Sequence, residues 1–191
     1  MTGWPPVRLS RAPISYGDAD RIPAPPDGWA RWSVTLLKPD AVERGLITPI
    51  LLMIDRLVTV VTIRSLTATS DQALAHYADL LALSFGFDVE LELRRMYAGR
   101  PVVVALAHGT DDTTTARLRT VIGHYDPARA VGSSIRGRYG TDSAARARAE
   151  HRFVRNLIHT SDDSEGAERE FRIWFGPAGT HLLHPQPVEV R

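Results

Sequence analysis

Apolar and polar positions alternate, cluster and recur along this chain in a way that marks out its elements one after another. Trp32-Ser33-Val34-Thr35-Leu36-Leu37 reads as a first strand that stops at Lys38-Pro39-Asp40. Leu46, Ile50, Met53, Ile54 and Leu57 then recur at helical spacing, which predicts a helix over residues 42–57, with Pro49 near a turn or kink. Residues 58–68 are β-branched and alternating and predict a second strand. Ser70-Asp71 is a fitting N-cap for a helix through Leu74, Tyr77, Leu80 and Leu81, and a further helical pattern runs from Val89 to Tyr97 before Gly99. The unbroken apolar run 101–107 is the clearest strand, followed by a helix capped within Thr110–Asp112, carried by Ala116, Leu118, Val121 and Ile122, and ended at Gly123.

Residues 123–152 show no sustained period, although the Ala-Arg run 144–150 has the composition of a short helix; long loops of this kind are often functional. Phe153, Val154, Leu157 and Ile158 then lead as a short buried strand into His159. Past His159, the spacing of Ala167, Phe171, Trp174 and Phe175 predicts an amphipathic helix with Asp162 and Glu165 as its capping pair. The βαββαβ order predicts a ferredoxin-like α+β sandwich, a four-stranded antiparallel sheet with helices on one face. Prolines crowd both ends. Residues 1–30 therefore read as an extended arm, 31–176 as the one domain and 177–191 as a tail, although Trp29 and other apolar residues of the arm could dock on the domain.

With 191 residues and 43% hydrophobic content, the chain can bury one good core. It contains no cysteine, no apolar run of membrane-spanning length and a net charge of +1, so the expectation is a cytoplasmic protein with neither membrane nor nucleic acid as partner. Lys38 is the only lysine among 23 basic residues, and it follows a buried strand, where a compact ammonium suits a phosphate. No P-loop, serine-hydrolase elbow or H-E-x-x-H motif is present. Instead, Lys38, Arg119, Arg136 and Asn156 fall at element ends, which can converge on one pocket. Asn156 would lie on the strand face opposite His159 if the strand were regular, so it has to act near a bend or through its backbone. His76, His108, His124, His151, His181 and His184 lack metal-ligand spacing and read as structural or exposed; Arg146, Arg148, Arg152 and Arg155 read as a solvated face.

Several stretches together resemble the nucleoside diphosphate kinase family. They are Lys38-Pro39-Asp40-Ala41-Val42-Glu43-Arg44-Gly45-Leu46, His76-Tyr77 with Phe85, Arg119 with Gly123, Asp126-Pro127-Ala128, Ile135-Arg136-Gly137, Asn156-Leu157-Ile158-His159-Thr160-Ser161-Asp162, and Ala167-Glu168-Arg169-Glu170 through Trp174-Phe175. The resemblance covers about residues 31–175. It implies that His159 is the nucleophile that becomes phosphohistidine and that Glu170 hydrogen-bonds its other nitrogen. It further implies that Lys38, Tyr77, Arg119, Arg136 and Asn156 grip the phosphates and ribose, and that Phe85 stacks on the base, with Phe87 the competing choice. Substrates would be nucleoside di- and triphosphates, with Mg²⁺ carried on the phosphates rather than by the protein, in a homo-oligomer. The departures gather at the site: Tyr125 stands near the phosphates where the family usually has Thr, Asp126 replaces Asn, Thr160 replaces Gly, and residues 138–155 are enlarged. A nucleotide-binding regulator of the same fold with weak turnover, and a kinase devoted to one nucleotide, are the other readings that these changes leave open.

Overall fold

The computed structural model describes residues 22–184. Its sheet consists of β1 (Trp32–Leu37), β2 (Thr59–Thr67), β3 (Pro101–His108) and β4 (Ile158–Thr160) in the order β2-β3-β1-β4, every neighbouring pair antiparallel. The helices are α1 (Pro39–Glu43), α2 (Ile47–Asp55), α3 (Ser70–His76), α4 (Ala78–Leu81), α5 (Val89–Tyr97), α6 (Thr114–Ile122), α7 (Ile135–Tyr139), α8 (Ala144–Ala149) and α9 (Ser164–Trp174). This is the ferredoxin-like α+β order.

The layering differs from the one-face arrangement that the pattern predicts. Along β1, Trp32, Val34 and Leu36 join one apolar cluster with α3, α5 and α9, whereas Leu37 joins another with α1, α2, α6 and α7. Along β3, Val102, Val104 and Leu106 go to the first, and Val103 and Ala107 to the second. Alternate residues of a strand point to opposite faces, so helices cover both. β1 does alternate, with Ser33 and Thr35 between apolar residues, but both are as buried as their apolar neighbours, so the alternation marks no solvent face.

Several boundaries also move. The helix over 42–57 is two helices, because Gly45 takes φ +68° between α1 and α2; Pro49 falls in the first turn of α2, where its missing N–H costs nothing. The helix from 70 breaks at Tyr77 into α3 and α4, and its cap is Thr69, in a reciprocal pairing with Gln72, rather than Ser70-Asp71. The N-cap residue of α6 is Thr113, just beyond the expected Thr110–Asp112; its own side chain makes no capping bond, and Asp111 accepts from its backbone N–H. α9 is capped by Asp163, which accepts from Gly166, and not by the pair Asp162 and Glu165. The long loop holds α7 and α8, each capped by a serine, Ser134 and Ser143.

Both edges of the expected domain also shift. Of the arm, residues 1–21 lie outside the described residues, but Ile22 and Trp29 are buried in the first cluster, with Trp29 5.5 Å from Phe171 between ring centroids. Residues 177–183 of the expected tail form a 3₁₀ helix that buries Leu183 there as well; residues 185–191 lie outside the description.

Candidate active site

The site is built on a bend. Leu157 has φ +71°, a conformation that costs a branched side chain of order 1–2 kcal/mol and needs outside support. The Lys38-Pro39-Asp40 turn supplies it: the Lys38 backbone N–H donates to the Leu157 carbonyl at 2.8 Å, and Asp40 Oδ2 accepts from the Leu157 N–H at 3.0 Å. β4 therefore starts only at Ile158, one residue after the bend, and Phe153 and Val154 are not part of it. The bend turns the buried Asn156 so that its Oδ1 accepts from Lys38 Nζ and its Nδ2 donates to the Tyr125 carbonyl, both at 2.8 Å.

Register then determines where His159 looks. It pairs with Leu36, and directly paired residues share a face, so His159 points to the side of α3, α5 and α9. Its Nε2 lies 2.9 Å from Glu170 Oε1, while Glu170 Oε2 accepts from Ser161 Oγ at 2.8 Å. A carboxylate accepts only, so Nε2 carries the proton and Nδ1 is left with its lone pair. Burial, then the charges of Lys38, Arg136, Arg119 and Arg169, hold the His159 pKa well below its ordinary value, and the ring stays neutral near neutral pH. Burial raises that of Glu170, which is 1% exposed. Burial also brings Lys38 down to about 7, with Arg136 adding to the shift and Asp40 opposing it. An arriving phosphate would restore its charge.

The remaining expected residues divide. Tyr77 sits beside the histidine, its ring centroid 6.0 Å from that of His159 and 5.5 Å from Lys38 Nζ, its hydroxyl 2.8 Å from that of Tyr97. Arg136 is buried and spends three donors on carbonyls, those of Asn156 (3.2 Å), Gly123 (2.9 Å) and Ile158 (2.7 Å), so it braces the segment around the bend while two of its five N–H groups stay available. Arg119 is half-exposed and paired with Asp162, a contact weak enough in solvent to yield to a phosphate. Phe85 lies farther out, its ring in contact with Phe87 and Phe153 at 5.8 and 5.2 Å. A cavity of about 550 Å³ runs from Lys38, Tyr77, Tyr125 and Asn156 to this aromatic cluster. His159 is not in its wall; it stands behind Tyr77 and Lys38.

His76, read from the sequence as structural or exposed, is structural and lies beside His159. It is buried on α3, its ring centroid 4.5 Å from that of His159, and its Nδ1 accepts from Trp174 Nε1 at 3.1 Å. Its neighbour Tyr77 was the available signal, since both leave the end of α3 toward β4. His76, His159 and Glu170 each bring a ligand atom within 4.8 Å of the others, the one such group among the described residues. Trp174 nevertheless fixes the His76 proton on Nε2, and two imidazoles with one carboxylate do not make the oxygen-rich shell that Mg²⁺ requires.

Comparison with known proteins points one way. The family model described as nucleoside diphosphate kinase matches residues 32–179. Nucleoside diphosphate kinases of Chloroflexus aggregans and Rhodococcus opacus are 37% and 35% identical over 148 and 145 residues, covering 76% and 75% of this chain and 87% and 93% of theirs. Among solved structures, the nucleoside-diphosphate kinase of Borrelia burgdorferi, a transition-state mimic with bound vanadate and ADP, superposes with a TM-score of 0.67 at 26% identity over 75% of this chain and 86% of that one. The nucleoside diphosphate kinase of Encephalitozoon cuniculi gives 0.65 at 26% over 83% and 93%.

Proposed function

This chain belongs to the nucleoside diphosphate kinase family and transfers the terminal phosphate of a nucleoside triphosphate to a nucleoside diphosphate; from that premise we propose that it works through a phosphohistidine at His159. The observation that carries the proposal is the bond from His159 Nε2 to the buried Glu170, which leaves Nδ1 as the attacking atom. The Nδ1 lone pair forms the N–P bond as the bond from the γ-phosphorus to the bridging oxygen breaks, and the diphosphate leaves with that electron pair. Positive charge that develops on the ring is met by Glu170 through the Nε2 proton. The second substrate reverses the sequence with its own terminal oxygen as nucleophile.

Phosphoryl transfer asks chiefly for positioning and for cations around the equatorial oxygens. Lys38, the free donors of Arg136, and Arg119 once released from Asp162 supply them in this reading, with Tyr77, Asn156 and the Tyr125 edge of the cavity along the phosphates and ribose and Phe85 under the base. Tyr125 fills more of this space than a threonine would. Mg²⁺ would arrive on the nucleotide, since among the described residues the one candidate ligand group is two imidazoles and a carboxylate rather than an oxygen cage. A cytoplasmic homo-oligomer is the setting that the family resemblance supports, and β2, at the sheet edge with Ile63 49% exposed, offers a surface for pairing; sedimentation at micromolar concentration checks the assembly.

Initial-rate kinetics test the proposal. Double-reciprocal plots at several acceptor concentrations should be parallel, ATP and ADP should exchange label with no other acceptor present, and vanadate with ADP should inhibit. Intersecting plots with no exchange would mean direct transfer in a ternary complex and no histidine intermediate.

A further inference from the structure

The outer half of the cavity is shaped by a helix that the phosphate chemistry does not need. α8 contributes Ala144, Ala147 and Arg148 to the wall, facing Phe85, Phe87 and Phe153. Phe153 meets Phe85 and Phe87 edge to face at 5.2 and 5.1 Å between centroids, and Phe85 and Phe87 lie tilted against each other at 5.8 Å, which leaves no slot between them; a base has to lie on the cluster, against α8. Among the described residues, the cavity wall has three cationic groups and no acidic one. Lys38 is bonded to Asn156 at the phosphate end. Arg152 is held by Asp142, Glu150 and the Phe153 carbonyl. Arg148 is exposed on the solvent side and has no hydrogen bond or ion pair from its side chain among the described residues.

A planar fork of donors at the edge of an apolar, aromatic cavity recognises two adjacent acceptors in the plane of a ring. We infer that Arg148 is a specificity-determining residue that reads the O6 and N7 edge of a 6-oxopurine, so that guanosine and inosine diphosphates are the preferred acceptors. This inference rests on the proposal that nucleotides enter this cavity phosphates first. Adenine offers N7 beside an amino donor that would oppose the guanidinium, and the pyrimidines have no N7. Selectivity therefore comes from α8, whereas the transfer chemistry behind Tyr77 is indifferent to the base. A bidentate contact is worth about 1–3 kcal/mol in discrimination, and at a solvated rim the lower end applies, about fivefold to tenfold.

The test compares GDP, IDP, ADP, CDP and UDP as acceptors with ATP as donor, using the full chain, Arg148→Ala, Arg148→Lys and, as a control on the same helix, Arg146→Ala, whose guanidinium pairs with Glu150 outside this cavity. Expected are kcat/KM values for GDP and IDP about fivefold to tenfold above the other three, a collapse of that ratio to within about twofold in Arg148→Ala with ADP turnover and phosphoenzyme yield retained, a ratio kept at least in part by Arg148→Lys, whose ammonium can still donate to O6 and N7, and a wild-type ratio in Arg146→Ala. Equal use of all five diphosphates by the wild type, or a ratio that survives Arg148→Ala, would overturn the inference while phosphoenzyme formation still upheld the phosphohistidine proposal. If no acceptor is phosphorylated, that proposal fails on its own terms, and the same ratios read as dissociation constants by calorimetry decide the role of Arg148.

Discussion

Replacing Glu170 by glutamine separates what this residue does for chemistry from what it does for the fold. The amide is nearly isosteric, can still accept the His159 Nε2 proton through its carbonyl, and can turn its amino group toward Ser161 Oγ, which would then accept and send its own proton to the Val34 carbonyl 3.4 Å away. The tautomer therefore survives and the charge is lost. A hydrogen bond to a charged group contributes about 1.5–3 kcal/mol, and in the transfer step it is the ring's developing positive charge that needs the carboxylate, so phosphorylation should slow by about 10- to 150-fold. Stability should move the other way. Burial raises the folded pKa of Glu170, so its contribution is present at low pH and is lost as pH rises through that folded value. At pH 7.5 the ionised form is a cost, and the amide removes it. Rapid-quench measurement of label transfer from ATP to protein, beside a thermal melt at pH 7.5, gives both quantities. An unchanged rate, or a melting temperature that falls, would refute this account of the pair.

Three further outcomes follow from the same contacts. Asp40→Ala leaves the buried Leu157 N–H without its acceptor and should cost about 1–3 kcal/mol in denaturant unfolding, together with a slower phosphorylation as the bend relaxes; a loss of activity with no change in stability would assign Asp40 a direct part in the chemistry. Arg136→Ala orphans three carbonyls and should cost about 3 kcal/mol or more, or about 6–12 °C in Tm for a chain of this size; a Tm within about 2 °C of wild type would show that the brace is dispensable. His76, brought down to about 3 by burial, and His159, lowered for the same first reason, contribute stability that is full above their unfolded value of 6.5 and is lost as pH falls below it. Glu170 works in the opposite sense, so between pH 6.5 and 5 the denaturation midpoint should fall on acidification, less steeply in His76→Gln. A midpoint that rises over that window would contradict the burial of neutral imidazoles.

The fold was legible where periodicity is local. The apolar run of β3 and the amphipathic α9 stand out because each buries one continuous run or face. The second helical layer was not legible, because Ser33 and Thr35 read as a polar, solvent-facing stripe and yet are buried. Capping slipped by one residue at Thr69 and Asp163 for a simpler reason: neighbouring Ser, Thr and Asp are chemically equivalent, and only the backbone angles decide which of them accepts. At the site, the residue types and their order pointed to His159, Glu170, Lys38 and Asn156. The sequence did not reveal that Asn156 reaches Lys38 because Leu157 adopts a positive φ, or that Arg136 is largely occupied in bracing that bend. The sequence did not show that His76 adjoins His159, because a histidine far away in sequence becomes its neighbour only through strand register.

The central claim is that His159 carries the phosphate. It is tested most directly by incubating the full chain with γ-labelled ATP, quenching in base, and locating the label by peptide mass spectrometry. The predicted result is a single acid-labile phosphate on His159, discharged by an added nucleoside diphosphate and absent from His159→Ala. Label on any other residue, or turnover retained by His159→Ala, would contradict it.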